Sequence, residues 1–349
     1  TYVEGSPATT LHASEMATEI SGDQMMLTED ERTLLQRTRG KGGLVGETVD
    51  GHFVLDRIGS GGQGDVYLAK QLSLNRYVAL KKLGVPHSAS PKSFLEVFRA
   101  EAQTLARINH SRIVKVFEIF QQDDDAFFTM EYISGSTLQG LVEESGEPLP
   151  VDVVANLACQ ASSALARTAE DGLIHRDIKP ANMLVDENGD LKIVDFGLAG
   201  AEARFTDKGF VGTPHFASPE QSRGEGLTPA SDQYSLGITL YFALTGKLPF
   251  SARTRHDLLD QHVNKKPPRP TQINEQLPAA VDRALLRMME KDPAKRFPSF
   301  DECFNAWEKI LFDSTQTQMA GSRQLLGEAL LRLGRRDRQR LMNQGLVLT

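Results

Sequence analysis

The sequence predicts an α+β fold of two unequal parts, a small β-rich unit that contains one helix and a larger, mainly helical unit. Strand-like segments separated by turn residues run from His52 to Tyr132. After Ser136 the apolar residues recur at helical spacing instead. A chain of 349 residues has room for about two domains of roughly 100–200 residues each, or for one two-lobed unit with extensions.

Composition and charge narrow the class of protein. The chain has 40% hydrophobic and 24% charged residues, as soluble globular proteins do. Its net charge of -7 weighs against nucleic acid as a partner. Cys159 and Cys303 lie in apolar, helix-like surroundings, so we expect two buried thiols and a reducing compartment. Because neither a signal peptide nor an apolar run of about 20 residues occurs, we expect a cytoplasmic chain, or the cytoplasmic part of a longer membrane-anchored one.

Both ends of the chain differ in composition from the middle. Residues 1–49 are rich in Thr, Ser, Glu and Gly, and we interpret them as an N-terminal extension or linker that is partly disordered. Within them only Leu27–Arg39 is helix-like, with Thr28 and Glu31 as a possible capping box. Residues 313–349 form a basic tail with a helical run. A solvated helix face is the default for such a tail, although a membrane surface or a partner protein would also suit it.

The predicted elements follow from periodicity. In the small unit, the helix should place Phe94, Phe98 and Glu101 on one face, and a glutamate in an apolar stripe needs a partner. The small unit is expected to contain strands near 53–58, 66–69, 77–80, 113–120 and 126–132, and a helix at 92–108. The large unit is expected to contain helices near 153–169, 231–245, 255–264, 278–290 and 299–311, with short strands around His175, 184–185 and 191–194.

A glycine-rich segment lies between the first two strands. It contains a GxGxxG pattern made by Ile58, Gly59, Ser60, Gly61, Gly62, Gln63, Gly64, Asp65 and Val66. A dinucleotide-binding loop would need a helix after these glycines, whereas a strand follows them here. That order favours a hairpin whose backbone covers phosphate groups. Taken alone, the segment could equally be an ordinary glycine-rich turn.

Lys81 shares a strand face with Ala79, and a lysine on an inner face needs an anion. Glu101 could supply one charge, and phosphates could complete the site. A surface lysine that only extends its charge to water is the simpler alternative for this residue alone.

Two later segments carry residue types suited to phosphoryl transfer. The run His175-Arg176-Asp177-Ile178-Lys179-Pro180-Ala181-Asn182 is followed by Asp195-Phe196-Gly197. Such a reaction needs positioning and charge neutralisation more than covalent help. Asp177 could orient a hydroxyl and accept its proton, and Lys179 could offset charge on the moving phosphoryl group. Asn182 and Asp195 offer the oxygen ligands that Mg²⁺ prefers.

With these motifs in order, residues 50–312 resemble the protein kinase family, and most closely the eukaryotic-like serine/threonine kinases of bacteria. Further matching segments are Met130–Ile133, Gly212–Pro214, Ser218–Glu220, Asp232–Gly237, Lys291–Pro293 and Arg296-Phe297. The resemblance implies a two-lobed protein kinase fold, with a small antiparallel β-sheet lobe at 50–133, a helical lobe at 134–312, and ATP between them.

The same resemblance assigns roles to residues in the cleft. Val66 and Ala79 would cover the adenine from above, and Leu184 from below. Met130 would guard the back of the pocket, and backbone groups of Glu131 and Ile133 would bind the adenine edge. Further pairs that it implies are Lys81 with Glu101 and the α/β-phosphates, Glu220 with Arg296, and Asp232 with the catalytic loop.

By resemblance, the chain is a serine/threonine protein kinase that uses ATP and Mg²⁺ on protein substrates, including itself. Lys179 and Thr213 match the serine/threonine class, and Arg176 matches kinases that are activated by loop phosphorylation. Thr206 is the only hydroxyl residue between Gly197 and Thr213. We therefore expect Thr206 to be the activating autophosphorylation site, reached through self-association of two chains.

Other functions fit the sequence less well. An ATP-binding pseudokinase scaffold would be expected to lack Lys81, Asp177 or Asp195, and all three are present. Small-molecule phosphotransferases of similar fold usually lack the segments around Pro214 and Pro219. A Walker-type ATPase would need GxxxxGK[ST], which does not occur. Two departures from the kinase pattern, at Ser218 and at Ser111-Arg112, leave all the catalytic positions intact.

Overall fold

The computed structural model describes residues 26–38, 40, 42–61, 64–84, 90–196 and 213–317. Its N-terminal part is an antiparallel sheet of six strands in the order β1-β2-β3-β4-β6-β5. The strands are β1 (Thr48–Val49), β2 (His52–Gly61), β3 (Gly64–Gln71), β4 (Arg76–Leu83), β5 (Val116–Gln122) and β6 (Asp125–Glu131). This sheet and one long helix form the small lobe, as the sequence predicts.

Strand register brings the predicted cleft residues next to one another. Val66 on β3 is paired with Lys81 on β4, and Ala79 on β4 is paired with Met130 on β6. In β2 the pairing with β3 is irregular between Val54 and Asp56 and again after Arg57. Such irregularities bend a strand, and here they precede the glycine hairpin.

Helix α2 (Pro91–Arg107) packs on this sheet. Ser90 begins it, because the Ser90 side chain accepts a hydrogen bond from the Ser93 amide at 3.1 Å, and Pro91 suits the first turn. The buried face contains Phe94 and Phe98, which pack against Ala79 and Phe128 of the sheet. The apolar stripe in the sequence therefore identified the buried face of the helix.

The segment before residue 50, which we propose to be an N-terminal extension, packs on the small lobe as far as it is described. Helix α1 (Glu29–Thr38) begins with the capping box that the sequence suggests. The Thr28 amide donates to Glu31 Oε2 at 2.6 Å and the Glu31 amide to Thr28 Oγ1 at 3.3 Å. Leu34 and Leu35 are buried against β2 and β3, so hydrophobic burial attaches this segment to the sheet. Residues 1–25 lie outside the described residues.

The large lobe combines a small sheet with helices. Its strands are β7 (Gly135–Thr137), β8 (Met183–Asp186) and β9 (Leu191–Ile193), of which β7 was not expected from the sequence. The helices are α3 (Leu138–Ser145), α4 (Val151–Glu170), α5 (Pro219–Ser222), α6 (Pro229–Thr245), α7 (Arg255–Asn264), α8 (Ala279–Met288) and α9 (Phe300–Thr317). Helix α6 is buried over most of its length, including Leu236 and Leu240, and forms the centre of this core.

Two boundaries differ from the expectation. The strand predicted around His175 is absent, because the backbone there is held by a buried carboxylate rather than by a neighbouring strand. Helix α9 continues to Thr317, beyond the predicted end of the lobe at residue 312. The rest of the basic tail lies outside the described residues. Among the helices that are described, none is long and apolar enough to cross a membrane.

Candidate active site

A cleft of about 400 Å³ lies between the two lobes. Strands β2, β3 and β4 form its roof, the segment after β6 its back, and β8 its floor. Nine residues proposed from the sequence line it, namely Ile58, Gly59, Val66, Ala79, Met130, Glu131, Ile133, Leu184 and Asp195. The Glu131 amide already donates to Lys115 O at 2.9 Å, so of the two backbone groups of Glu131 only the carbonyl could contact a bound base.

The glycine segment forms the hairpin between β2 and β3. Ser60 and Gly61 are paired with Asp65 and Gly64 across it, whereas Gly62 and Gln63 lie outside the described residues. Gly64 has φ +116, and a Cβ there would lie 1.9 Å from Lys82 O. Only glycine fits at this position, since both the backbone conformation and the close approach exclude a side chain.

Lys81 forms an ion pair with Asp195, which lines the cleft. Lys81 Nζ lies 2.7 Å from Asp195 Oδ2, and the Lys81 side chain is 3% exposed. The expected partner of Lys81 was Glu101, whose backbone is in α2 but whose side chain lies outside the described ones. That pairing therefore stays a prediction, and the contact with Asp195 was not foreseen.

Asp177 is the centre of a second cluster. Its carboxylate accepts hydrogen bonds from Lys179 Nζ at 2.5 Å, from Thr213 Oγ1 at 3.1 Å and from the Thr213 amide at 3.2 Å. Lys179 also donates to Thr213 Oγ1 at 2.9 Å. Asn182 Nδ2 donates to Asp177 O at 2.8 Å and to Asp177 Oδ2 at 3.2 Å. A buried carboxylate is thus held in one orientation by charge-assisted hydrogen bonds.

The loop that carries Asp177 is fixed from below by Asp232 of α6. Asp232 Oδ2 accepts from the His175 amide at 2.7 Å and Oδ1 from the Arg176 amide at 2.9 Å. Burial raises the pKa of the Asp232 carboxyl, while His175 and these amide donors act in the opposite direction. Arg176 has φ 71, a left-handed conformation that costs about 1–3 kcal/mol for a residue with a side chain. The amide contacts hold this strained turn in place.

Asn182 and Asp195 fit the cation that their residue types suggest. The Val194 amide donates to Asn182 O at 3.0 Å, so Asn182 lies beside the strand end that leads into Asp195. Asp195 Oδ1 is buried and has no hydrogen-bond partner among the described residues. An orphaned carboxylate oxygen is costly unless a cation or donor satisfies it. Among the described residues, no group of three or more His, Cys, Asp or Glu side chains is arranged to hold a metal ion, so a Mg²⁺ here would complete its shell with water and phosphate oxygens.

A buried ion pair lies in the large lobe. Arg296 donates to both oxygens of Glu220 at 2.7 and 2.9 Å. Burial alone would raise the pKa of Glu220, but the hydrogen bonds and charge of Arg296 outweigh it and hold that pKa below 4.5. The pair matches the structural partnership expected from the sequence.

Several residues that line the cleft were missed. Leu68 lies on the same face of β3 as Val66, and period-2 alternation could have identified it. Gly135 was not singled out in the sequence, yet a Cβ there would lie 2.1 Å from Val185 O in β8. No local pattern marks further lining residues of the lobe junction, which include Ser136, Thr137, Gly140 and Glu144.

Comparison with known proteins relates this site to one family. The protein kinase domain family matches residues 53–307. Serine/threonine-protein kinase PrkC of Bacillus subtilis is 35% identical over 275 residues, which is 78% of this chain and 42% of PrkC. Serine/threonine-protein kinase PknB of Mycobacterium leprae is 36% identical over 255 residues, which is 71% of this chain and 41% of PknB. The chain therefore spans less than half the length of these two relatives.

A solved structure of a kinase domain has a similar fold. The kinase domain of Mycobacterium tuberculosis PknI is similar with a TM-score of 0.60 and 27% sequence identity. The similarity covers 76% of this chain and 98% of the PknI domain.

Proposed function

Since this chain belongs to the protein kinase family and its domain is of the serine/threonine protein kinase type, we propose that its cleft transfers the γ-phosphate of ATP to Ser or Thr hydroxyls of proteins. One observation carries the proposal: the Asp177 carboxylate is oriented by Lys179 and Thr213 and contacts Asn182, one of the two candidate metal ligands. The family membership supports ATP as the phosphate donor, and Mg²⁺ as its usual companion ion.

Each side chain has a role that its position supports. Asp177 orients the acceptor hydroxyl and takes its proton, because its two oxygens are fixed at the end of the catalytic loop. Lys179 offsets charge on the transferred phosphoryl group, and Lys81 binds the nucleotide phosphates from the roof. Asn182 and Asp195 would hold Mg²⁺, which when bound neutralises phosphate charge. Ile58, Val66, Ala79, Met130 and Leu184 form the apolar walls for the base.

The test is transfer of labelled γ-phosphate from ATP with Mg²⁺ to the chain itself and to a generic basic protein. Asp177→Asn should remove label from Ser and Thr, identified after acid hydrolysis. Asp124→Asn, the same chemical change in the exposed β5–β6 turn, should keep it. Unlabelled wild type that nevertheless binds ATP would contradict the proposal and favour an ATP-binding scaffold.

A separate measurement addresses the metal. Asp195→Asn removes the charge that a cation needs, so Mg²⁺ should no longer strengthen the thermal stabilisation that a non-hydrolysable ATP analogue gives. Stabilisation by the analogue without Mg²⁺ should persist. An unchanged Mg²⁺ effect in this variant would exclude Asp195 as a ligand.

Thr206 lies outside the described residues, and we propose it as the site of activating autophosphorylation between two chains. Support comes from the sequence, where Thr206 is the single hydroxyl residue between positions 197 and 213. Mass spectrometry should find phosphate on Thr206 in wild type but not in Asp177→Asn. A fully active Thr206→Ala protein would refute the activating role.

A further inference from the structure

Helix α1 and the nucleotide cleft share one apolar cluster. On the α1 side, Leu34 and Leu35 are buried in a cluster that includes Leu68, and Tyr132 packs against it. Leu68 and Tyr132 also line the cleft, as part of its roof and its back. The position of α1 is thus transmitted by direct packing to two of the surfaces that a nucleotide would touch.

A buried polar contact fixes α1 on the sheet. Glu31 is 1% exposed, and its carboxylate accepts from Lys70 Nζ at 2.9 Å and from Tyr77 Oη at 2.7 Å. Lys70 also donates to Met26 O at 3.2 Å. Because a buried ion pair tolerates little displacement of either partner, these bonds define where α1 lies. Tyr77 is on β4, two residues before Ala79 in the cleft roof.

The end of α1 holds β2 at its irregular point. Thr38 Oγ1 donates to Leu55 O at 2.7 Å, where the pairing of β2 with β3 shifts between Val54 and Asp56. The next two residues, Asp56 and Arg57, line the cleft and lead into the glycine hairpin. A strand whose ladder is interrupted needs another contact to fix its path, and α1 supplies it.

We propose that α1 is a positioning element for nucleotide binding, with Glu31 and Leu34 as its positioning residues; this inference rests on the function proposed above. When α1 is docked, the roof and back of the cleft are ordered before the nucleotide binds. The free energy of nucleotide binding is then not reduced by the entropy of ordering them. Asp177 and Lys179 lie in the other lobe. Loss of α1 docking therefore weakens nucleotide affinity and leaves the turnover of bound ATP nearly unchanged.

Variants of the full chain test this through a split between KM and kcat. Leu34→Ala and Glu31→Ala should raise the KM for ATP, and the Kd of a non-hydrolysable ATP analogue with Mg²⁺, by about fivefold or more, the lower end of typical coupling between sites. The kcat should stay within about twofold. Glu31→Gln, which keeps an acceptor for Tyr77, should lie between wild type and Glu31→Ala.

Two controls separate positioning from stability. Gln36→Ala on the exposed side of α1 should change neither the KM for ATP nor the Kd of the ATP analogue. Ile310→Ala, in the buried core of the large lobe, should lower the melting temperature without raising the Kd. If Leu34→Ala and Glu31→Ala reduce only the active fraction, with Kd unchanged, α1 is merely structural and the inference fails.

Coupling is reciprocal, which provides a test without any variant. The ATP analogue with Mg²⁺ should slow hydrogen exchange of the α1 amides in the unmodified chain, and unchanged exchange at saturating analogue would overturn the inference. Wild type that neither binds nor transfers from ATP would instead contradict the proposed function. The two failures are therefore distinguishable.

Discussion

Thr213 is the residue that contacts both Asp177, the proposed acid–base group, and the Lys179 ammonium. Its hydroxyl donates to Asp177 Oδ1 at 3.1 Å and accepts from Lys179 at 2.9 Å. Its amide adds a third contact to the Asp177 carboxylate. Thr213 thus holds the side chains of Asp177 and Lys179 in one relative orientation. The orientation of Asp177 depends on where Thr213 lies.

Thr213→Val should show this dependence. Valine keeps the shape of threonine but neither donates nor accepts, so Asp177 and Lys179 lose their common partner. We expect kcat to fall by about 10²-fold, the effect typical of small misplacement of a reacting group, with little change in the KM for ATP. Steady-state kinetics should find Thr213→Ser close to wild type. Equal losses in both variants would mean that the hydroxyl is not the important group.

Among the elements, the glycine hairpin contains two paired glycines, Gly61 and Gly64, that differ in how well they would accommodate a side chain. Gly64 combines φ +116 with a close approach to Lys82 O, whereas a Cβ on Gly61 would meet nothing within 4 Å. Gly64→Ala should therefore lower the free energy of unfolding by about 1–3 kcal/mol and raise the KM for ATP. Gly61→Ala should have a much smaller effect on stability. Chemical denaturation and steady-state kinetics of both variants would measure these differences. Similar stability losses in the two variants would exclude the close approach of Gly64 to Lys82 O as their cause.

The Glu220–Arg296 pair connects α5 to the segment before α9. Both side chains are almost fully buried, and removal of one partner would leave an uncompensated charge. Arg296→Ala should therefore cost about 3–5 kcal/mol in the free energy of unfolding. Arg223→Ala breaks an exposed ion pair with Glu225 and is the matched control. It should leave the free energy of unfolding unchanged. Comparable losses in the two variants would refute the role of burial.

The same pair predicts a pH dependence. Arg296 holds the pKa of Glu220 below its ordinary value of 4.5, so folding favours the ionised carboxylate. The stability from this pair is fully present above that ordinary value and is lost as pH falls through the lowered pKa of the folded state. In Arg296→Ala, burial without the arginine raises the pKa of Glu220, so acidification relieves the unpaired charge of the variant first. The difference in unfolding free energy between wild type and Arg296→Ala should therefore shrink as pH falls, and shrink further below about pH 4.5, where wild type also loses the contribution of the pair. Denaturant titrations at stepped pH would measure it, and a difference that grew on acidification would contradict the sign.

At the scale of the whole molecule, the large lobe forms a continuous core that includes both cysteines. Cys159 of α4 and Cys303 of α9 are buried free thiols, and burial raises the pKa of each to about 12. A thiol that is neutral and shielded does not react. A thiol reagent at pH 7 should modify neither cysteine in the folded chain and both after unfolding. Modification of one cysteine in native conditions would show that the α4–α9 contact opens locally.

The lobes are also joined behind the cleft. Glu131, at the end of β6, binds Lys192 of β9 at 2.9 and 3.0 Å, and the Val114 amide donates to Ile193 O at 3.0 Å. These contacts cross from the small lobe to the small sheet of the large lobe. The two lobes are therefore held together at the end of the cleft that Glu131 lines.

The sequence by itself determined the fold class, the order of the main elements and the family. The reason is local: the stripe of Phe94 and Phe98, the glycine hairpin, and the fixed spacing around Asp177 and Asp195 are properties of short segments. The capping box at Thr28 and Glu31 was visible for the same reason. Lys179 and Asn182 lie in the same short segment as Asp177, so their contacts with its carboxylate are local as well; their roles stay predictions.

Only the tertiary structure decided how those segments meet. The contact of Lys81 with Asp195, the packing of α1 on the cleft cluster and the close approach at Gly135 join positions far apart in the chain. The absent strand at His175 has the same origin, because Asp232, 57 residues later, satisfies its backbone. Periodicity reports which face of a segment is apolar and not which surface covers it. The partner of a buried face or charge is set by three-dimensional packing.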